Sequence, residues 1–277
     1  MSSVMNWWQH LPGHIDPIVF TVGFLSVRWY ALLWLLGLFL AYTLARRLST
    51  AQTLPPETLY DLFFSLFLGA WLGGRLGFAL WYRPDWFLAH PMNIILPFAS
   101  DGSWTGISGM SFHGGLVGVV GALYWFSQRR RLNFWMLADL VALVAPIALF
   151  CGRIGNFLNH ELYGRVTGVP WGMYFPGVVP SALRHPSTLY EAMLEGVLLF
   201  VLLLGLRSKV TLSGGLASAF LILYGALRFL VEYVREPDRG VVLLYGYFTR
   251  GQALSLVMIA FGVLLALWLR RTNRARM

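Results

Sequence analysis

Charge, cysteine and secretory signals are scarce in this 277-residue chain, and each scarcity excludes something. Only 12% of the residues are Asp, Glu, Lys or Arg, against about one quarter in soluble domains, so an ordinary soluble domain is excluded. The single cysteine, Cys151, excludes an intramolecular disulfide, and at the end of an apolar run it reads as a small buried residue. Residues 1–27 contain no Lys or Arg, so no positively charged n-region is present and no cleavable signal peptide is expected. Walker loops, HExxH and Cys/His spacings suited to zinc are absent, and neither a metal nor a cofactor is expected.

What the chain does have is apolar length. It is 57% hydrophobic with a mean hydropathy of +0.64, and apolar stretches near the ~20 residues that span a bilayer recur along it. The expected fold is an all-α integral membrane protein with seven transmembrane helices at roughly 24–45, 60–82, 107–127, 133–151, 187–206, 212–234 and 252–269. The net charge of +9 does not point to nucleic acid, because the basic residues alternate along the chain. Arg46-Arg47, Arg129-Arg130-Arg131, Arg207 with Lys209, and Arg270-Arg271 with Arg274 and Arg276 follow spans one, three, five and seven. That alternation places those ends in the cytoplasm, the N-terminus outside and the C-terminus inside. The chain reads as one integral domain, 1–277, within which Gly- and Pro-rich residues 153–186 form a small ordered head on the outer face. A second external stretch, 83–106, is expected along the interface.

Ionisable groups inside spans are costly and mark functional sites. Arg75, His113, Arg153, Glu191, Glu195, Arg228 and Glu232 all fall in the outer half by helical rise, with Asp139 the outlier near the cytoplasmic start of span four. Arg28 and Tyr30 stand at the first entry. Collection of the set in one leaflet from six helices points to a polar cavity open to the outer half. Tyr224, Arg228 and Glu232 share a helix stripe, so Glu232 is expected to pair with Arg228. Arg75, Arg153 and Arg228 facing one cavity imply an anion, which at that depth is a phospholipid head.

The run GRIGNFLNHELYG (152–164) supplies the remaining polarity. Arg153 is expected on a phosphate oxygen, Gly152 and Gly155 to let backbone approach the ligand, and Asn156 and Asn159 toward glycerol hydroxyls. Glu161 is expected to orient an arginine. Gly69, Gly73 and Gly77 in span two and Gly114, Gly118 and Gly121–Ala122 in span three are spaced for close helix contact. His113, in SGMSFHGG, has glycines clearing space around it, and two roles stand open: base or positioning group. His10, His14, His90 and His160 receive none.

With these residues in view, the chain resembles the prolipoprotein diacylglyceryl transferases. The signature G-R-x-G-N-F-x-N-x-E-x-x-G is matched in full by Gly152, Arg153, Gly155, Asn156, Phe157, Asn159, Glu161 and Gly164. VRWY (27–30), MSFHGG (110–115), RHPSTLYE (184–191) and YGALRFLVEYVREPD (224–238) match in order, with Ser108 where glycine is common and Thr188 where glutamine is common. The resemblance implies transfer of the diacylglyceryl group of phosphatidylglycerol to the lipobox cysteine of a preprolipoprotein, forming a thioether and releasing glycerol phosphate. It implies the bacterial inner membrane as location. Carried over by position, Arg153 and Arg228 grip the phosphate, His113 and Tyr30 are critical to activity, and Asn156, Glu161, Tyr224 and Glu232 line the site. Arg75, Asn159, Gly114 and Gly164 complete the expected substrate contacts.

The chemistry is consistent with that activity. A thiolate attacking an sp³ carbon expels a phosphate monoester, and pre-placed arginines stabilise the charge on the leaving oxygen. The thiol, with an ordinary pKa of ~8.5, needs a base or a positive field. The phosphate ester is itself the activated donor. A transporter for an anionic lipid explains the arginines equally well, but not why the polar set avoids the inner half. A structural scaffold explains no intramembrane charge.

Overall fold

The structure, a computed structural model, describes residues 3–23, 25–49, 54–82, 84–94, 109–236 and 248–274. Five of the described helices are long and apolar enough to cross a membrane: Trp29–Leu48, Pro56–Trp81, Phe134–Leu158, Ser187–Arg207 and Arg250–Thr272. The apolar helix Gly215–Val231 is shorter, and the glycine-rich helix Phe112–Arg130 is less apolar. The chain is thus a multi-pass membrane protein, and it divides into two compact units, residues 48–137 and the remainder.

In the larger unit, helix α1 (Ser3–His10) precedes an antiparallel hairpin of β1 (Ile18–Val22) and β2 (Leu25–Arg28). This corrects the expected first span, 24–45: its opening residues are strand, and helix α2 runs Trp29–Leu48. Hydropathy cannot separate an apolar strand from an apolar helix. The local chemistry can, because β-branched and aromatic residues flank Gly23, whose φ of 58° closes the turn. The all-α expectation is corrected to the same extent.

Small residues set how α2 meets the signature helix, which runs Phe134–Leu158. A Cβ added to Gly37 would lie 2.9 Å from the Cβ of Cys151, one on Gly152 3.1 Å from the Trp34 ring, and one on Gly155 3.0 Å from the Tyr30 Cα. Gly152 and Gly155 therefore clear room for Trp34 and Tyr30, where the sequence reading had them admit a ligand. The helix also carries on past the expected end of span four at 151, so Arg153 and Asn156 sit on regular helix.

Residues 159–186 follow as turns and isolated bridges, Gly164 to Arg235 and Arg184 to both Val166 and Met173. Phe157, Met173 and Phe175 are buried there among Trp8, Leu11, Ile15, Tyr163 and Leu189. Helix α1 is bound to this segment by Gln9, whose Nε2 donates to the Pro170 carbonyl at 2.9 Å, and by Trp8, whose indole N–H donates to the Trp171 carbonyl at 3.0 Å. Further along, Ser187–Glu191, a wider i→i+5 turn over Ala192–Leu198 and Leu199–Arg207 form one continuous helical run. Helices Gly215–Val231 and Arg250–Arg274 complete the unit and pack on each other.

In the smaller unit, helix Pro56–Tyr82 packs along Phe112–Arg130 through the expected glycine seam. A Cβ on Gly73 would lie 2.8 Å from the Gly118 Cα, and one on Gly77 2.7 Å from the Gly114 Cα. Gly121 takes no part, having open space around its Cβ position; Ala122 takes its place opposite Gly69. Most of the expected interfacial stretch, at 95–106, lies outside the described residues, as do Ser108 and the Pro-Asp of the last motif.

Candidate active site

The signature helix, the run from Ser187, the helix Gly215–Val231 and the turn that follows it, which carries Glu232 and Arg235, bring six charged side chains into one cluster. Glu191 is its centre: its Oε1 accepts from Arg228 Nη1 at 2.7 Å and from Arg235 Nη1 at 3.2 Å. Its Oε2 lies 2.9 Å from Arg153 Nε, an ion-pair contact whose angle falls short of a hydrogen bond. Glu195 accepts more loosely, from Arg153 Nη2 at 3.3 Å and from Arg228 Nη1 at 3.4 Å. Glu232 accepts from Arg228 Nη2 at 3.0 Å, the expected pair one turn apart, and its other oxygen accepts from the Thr249 hydroxyl at 2.9 Å.

Three arginines thus meet three carboxylates. The side chains of Glu191 and Glu195 are fully buried, whereas Arg153, Arg228 and Arg235 retain 16%, 15% and 11% exposure. What exposure the cluster keeps is mostly on the arginine side chains, with Glu191 and Glu195 sealed beneath them. Removing such charges from water is costly unless they are paired, and here every one is. The pairing also fixes the directions of the forks, and a fixed fork suits a tetrahedral anion.

The i→i+5 turn helps to place both carboxylates. Glu191 ends the regular helix before it and Glu195 lies within it. Gly196 allows the neighbouring helix in, since a Cβ there would stand 2.6 Å from the Phe150 Cβ.

Beside this cluster the signature motif forms a second one. Asn156 and Asn159 each donate from Nδ2 to Glu161, at 3.1 and 3.2 Å. Glu161 was expected on an arginine; the structure puts it on these two amides, because the chain turns back after Leu158 through left-handed His160 (φ 58°) and Leu162 (φ 55°). Tyr30 touches Trp34 and lies within electrostatic range of Glu161 and Arg153. Tyr224 is buried and stacked on Phe220, within range of Arg153, Arg228, Glu191 and Glu195. Gly164 has no room for a side chain: its Cβ would lie 2.5 Å from the Val234 carbonyl oxygen. Its N–H donates to the His185 carbonyl at 2.8 Å.

The larger unit therefore brings together Tyr30, Arg153, Asn156, Asn159, Glu161, Gly164, Tyr224, Arg228 and Glu232. Three expected residues belong to the smaller unit. Arg75 is buried, donates to the Gly109 carbonyl at 3.1 Å and lies 5.1 Å over the Phe87 ring. His113 is exposed in the first turn of its helix, just after Ser111, whose hydroxyl caps the Gly114 N–H at 3.2 Å. Gly114 sits in the glycine seam.

Sequence reasoning missed Arg235, and it placed Glu191 and Glu195 in the polar set without assigning them partners. The four-residue spacing of the two glutamates was the available signal. Outside the spans, burial pushes the His160 and His185 rings below the ordinary imidazole range, with Asp16 and the Pro12 carbonyl partly offsetting the effect at His160. Among the described residues no group of three His, Cys, Asp or Glu could hold a metal ion.

Comparison with known proteins places this site in a family. Residues 17–268 match the family model described as prolipoprotein diacylglyceryl transferase. Proteins named phosphatidylglycerol–prolipoprotein diacylglyceryl transferase are similar to the chain along most of its length. That of Vibrio cholerae is 46% identical over 92% of this chain and 92% of its own. That of Geobacter sulfurreducens is 45% identical over 93% and 96%, and that of Chlorobaculum tepidum 40% identical over 97% and 94%. On the match across residues 17–268 and these identities, the chain belongs to the prolipoprotein diacylglyceryl transferase family.

Proposed function

We propose that this chain transfers the diacylglyceryl group of phosphatidylglycerol to the lipobox cysteine of a preprolipoprotein, the first step of lipoprotein maturation. The carrying observation is the buried cluster in which Arg153 and Arg228 converge on Glu191 and Glu195, the arginines keeping more exposure than these two carboxylates. Arg153 and Arg228 hold the lipid phosphate with donors their carboxylate partners leave unused. The Asn156–Asn159–Glu161 group faces the glycerol hydroxyls, and Tyr30, Tyr224 and Glu232 complete the wall. The thiolate sulfur attacks the glycerol carbon that bears the phosphate. One S–C bond forms, one C–O bond breaks, and the electron pair leaves on glycerol phosphate, whose charge the guanidinium groups stabilise. The thiol proton passes to a base, with His113 the candidate from the family motif and positioning of substrate its other open role. Arg75 and Gly114 are assigned to the substrate contacts on the same motif basis, and Gly164 to the wall.

The five long apolar helices together with Gly215–Val231 and Phe112–Arg130 are read as seven spans, with the N-terminus outside, the C-terminus in the cytoplasm and the site toward the outer leaflet of the bacterial inner membrane. Support comes from the basic runs, which end alternate helices.

Purified protein in vesicles containing phosphatidylglycerol, given a lipobox peptide, tests the reading. The expected result is a mass gain of one diacylglyceryl group on the cysteine and release of glycerol phosphate. Lipid movement between leaflets with no modified peptide would instead identify a transporter.

A further inference from the structure

Asp139 is an ionisable group in the spans that the phosphate site leaves without a role. It stands on the signature helix, far from Arg153, and its carboxylate reaches the start of the helix Gly215–Val231. Oδ2 accepts from the Gly214 N–H at 2.7 Å and Oδ1 from the Ala217 N–H at 2.8 Å. The first N–H groups of a helix have no partner within it, and this helix has no side-chain cap of its own. Its cap comes from another helix, 75 residues away in sequence.

The spacing gives that cap a second consequence. Fourteen residues separate Asp139 from Arg153 on one helix, and fourteen separate Gly214 from Arg228 on the other. At about 1.5 Å per residue both arginines lie about 21 Å from the tie. At that distance they meet the same two carboxylates, Glu191 and Glu195. We propose that Asp139 is a positioning residue that holds these two helices in register and so brings Arg153 and Arg228 to one depth for the lipid phosphate. The proposal rests on the reading of that site given above. A slip of one residue moves Arg228 by about 1.5 Å along the axis. Its 3.4 Å contact with Glu195 is already at the limit of hydrogen-bond reach and does not survive such a shift.

The tie can be cut from either side. Asp139→Ala removes the acceptors. Ala217→Pro removes one donor, in the first turn, where proline is tolerated because that N–H has no intrahelical partner. Each variant is purified in parallel with wild type, its melting temperature is recorded, and transfer is measured with graded phosphatidylglycerol in phosphatidylcholine vesicles and graded lipobox peptide. Both variants are expected to raise the KM for phosphatidylglycerol by roughly 10- to 100-fold, the cost of an ångström-scale misplacement. The KM for the peptide is expected to stay at the wild-type value. Asp139→Asn, which keeps one acceptor oxygen, should fall between.

An unchanged lipid KM in both variants overturns the proposal. So does an equal loss toward lipid and peptide that tracks the folded fraction, or failure of both variants to fold, since each marks a purely structural cap. Arg153→Lys separates this inference from the reading beneath it. If that variant transfers normally, the phosphate assignment itself fails. If it is impaired while Asp139→Ala keeps the wild-type lipid KM, only the register argument fails.

Discussion

Arg153→Lys is the sharpest test of the phosphate assignment, because the geometry states how many donors the substitution removes. A guanidinium carries five N–H donors. Arg153 hydrogen-bonds Glu195 through Nη2 at 3.3 Å and holds Nε in ion-pair contact with Glu191 at 2.9 Å, so even with both of those N–H groups set aside three remain for a ligand. A lysine ammonium has three donors in all. If two remain on the same carboxylates, one is left for the phosphate, and the paired geometry of the fork is lost. Losing a single charge-assisted hydrogen bond costs roughly 1.5–3 kcal/mol, equivalent to about 10- to 100-fold in transition-state stabilisation at 1.4 kcal/mol per decade. The positive charge is kept, so Glu191 and Glu195 stay compensated and the protein folds. The assay is mass-spectrometric detection of diacylglyceryl peptide under limiting phosphatidylglycerol, with melting temperature measured in parallel. Wild-type turnover by a normally folded Arg153→Lys protein would refute the argument and reduce the residue to a structural ion pair.

Glu191→Gln leaves three arginines with one fewer counter-charge, so it should lower stability by roughly 3–5 kcal/mol, the cost of breaking a buried pair; thermal unfolding in detergent checks this. For His113, a pH–rate profile of wild type and His113→Gln separates the two roles. A base predicts a defect that shrinks as pH rises past the thiol's own pKa, and positioning predicts a constant ratio. The head carries its own pH signature, since burial pushes the His160 ring below its unfolded value. The unfolded chain then binds more protons on acidification, so the stability His160 contributes is complete above about pH 6.5 and is lost as pH falls through its folded pKa. Unfolding of wild type against His160→Gln between pH 7 and 5 should show that slope only in wild type. Topology is tested by single cysteines in a Cys151→Ala background: one at Val169 should react with an impermeant reagent in spheroplasts and one at Ser208 should not. The reverse pattern would turn the site toward the cytoplasm.

Much of the molecule was legible in the residue order. The apolar runs mark the long helices because a bilayer-spanning segment must bond its backbone internally, whatever its neighbours do. The four-residue spacing of Arg228 and Glu232 is a helical neighbour relation, and their pair forms at 3.0 Å as expected. The glycine seam of the smaller unit follows from the same periodicity.

Tertiary structure decided what depends on distant partners. Arg153 meets Glu195 across 42 residues, Arg228 meets Glu191 across 37, and Asp139 meets Ala217 across 78. No periodicity encodes those pairings, so beyond the Arg228–Glu232 pair the sequence shows which charges are present and only the fold shows which of them offset one another. Gly152 and Gly155 show the same limit: a glycine announces that something comes close, and only the packing of Trp34 and Tyr30 says what. The first span moved for a different reason, since hydropathy measures how apolar 18–28 are but not whether Gly23 turns them into a hairpin. Sequence alone determines which residues are costly to bury; the fold determines which of them offset one another's cost, because electrostatic pairing in a low-dielectric interior acts over ångströms of space and is indifferent to separation along the chain.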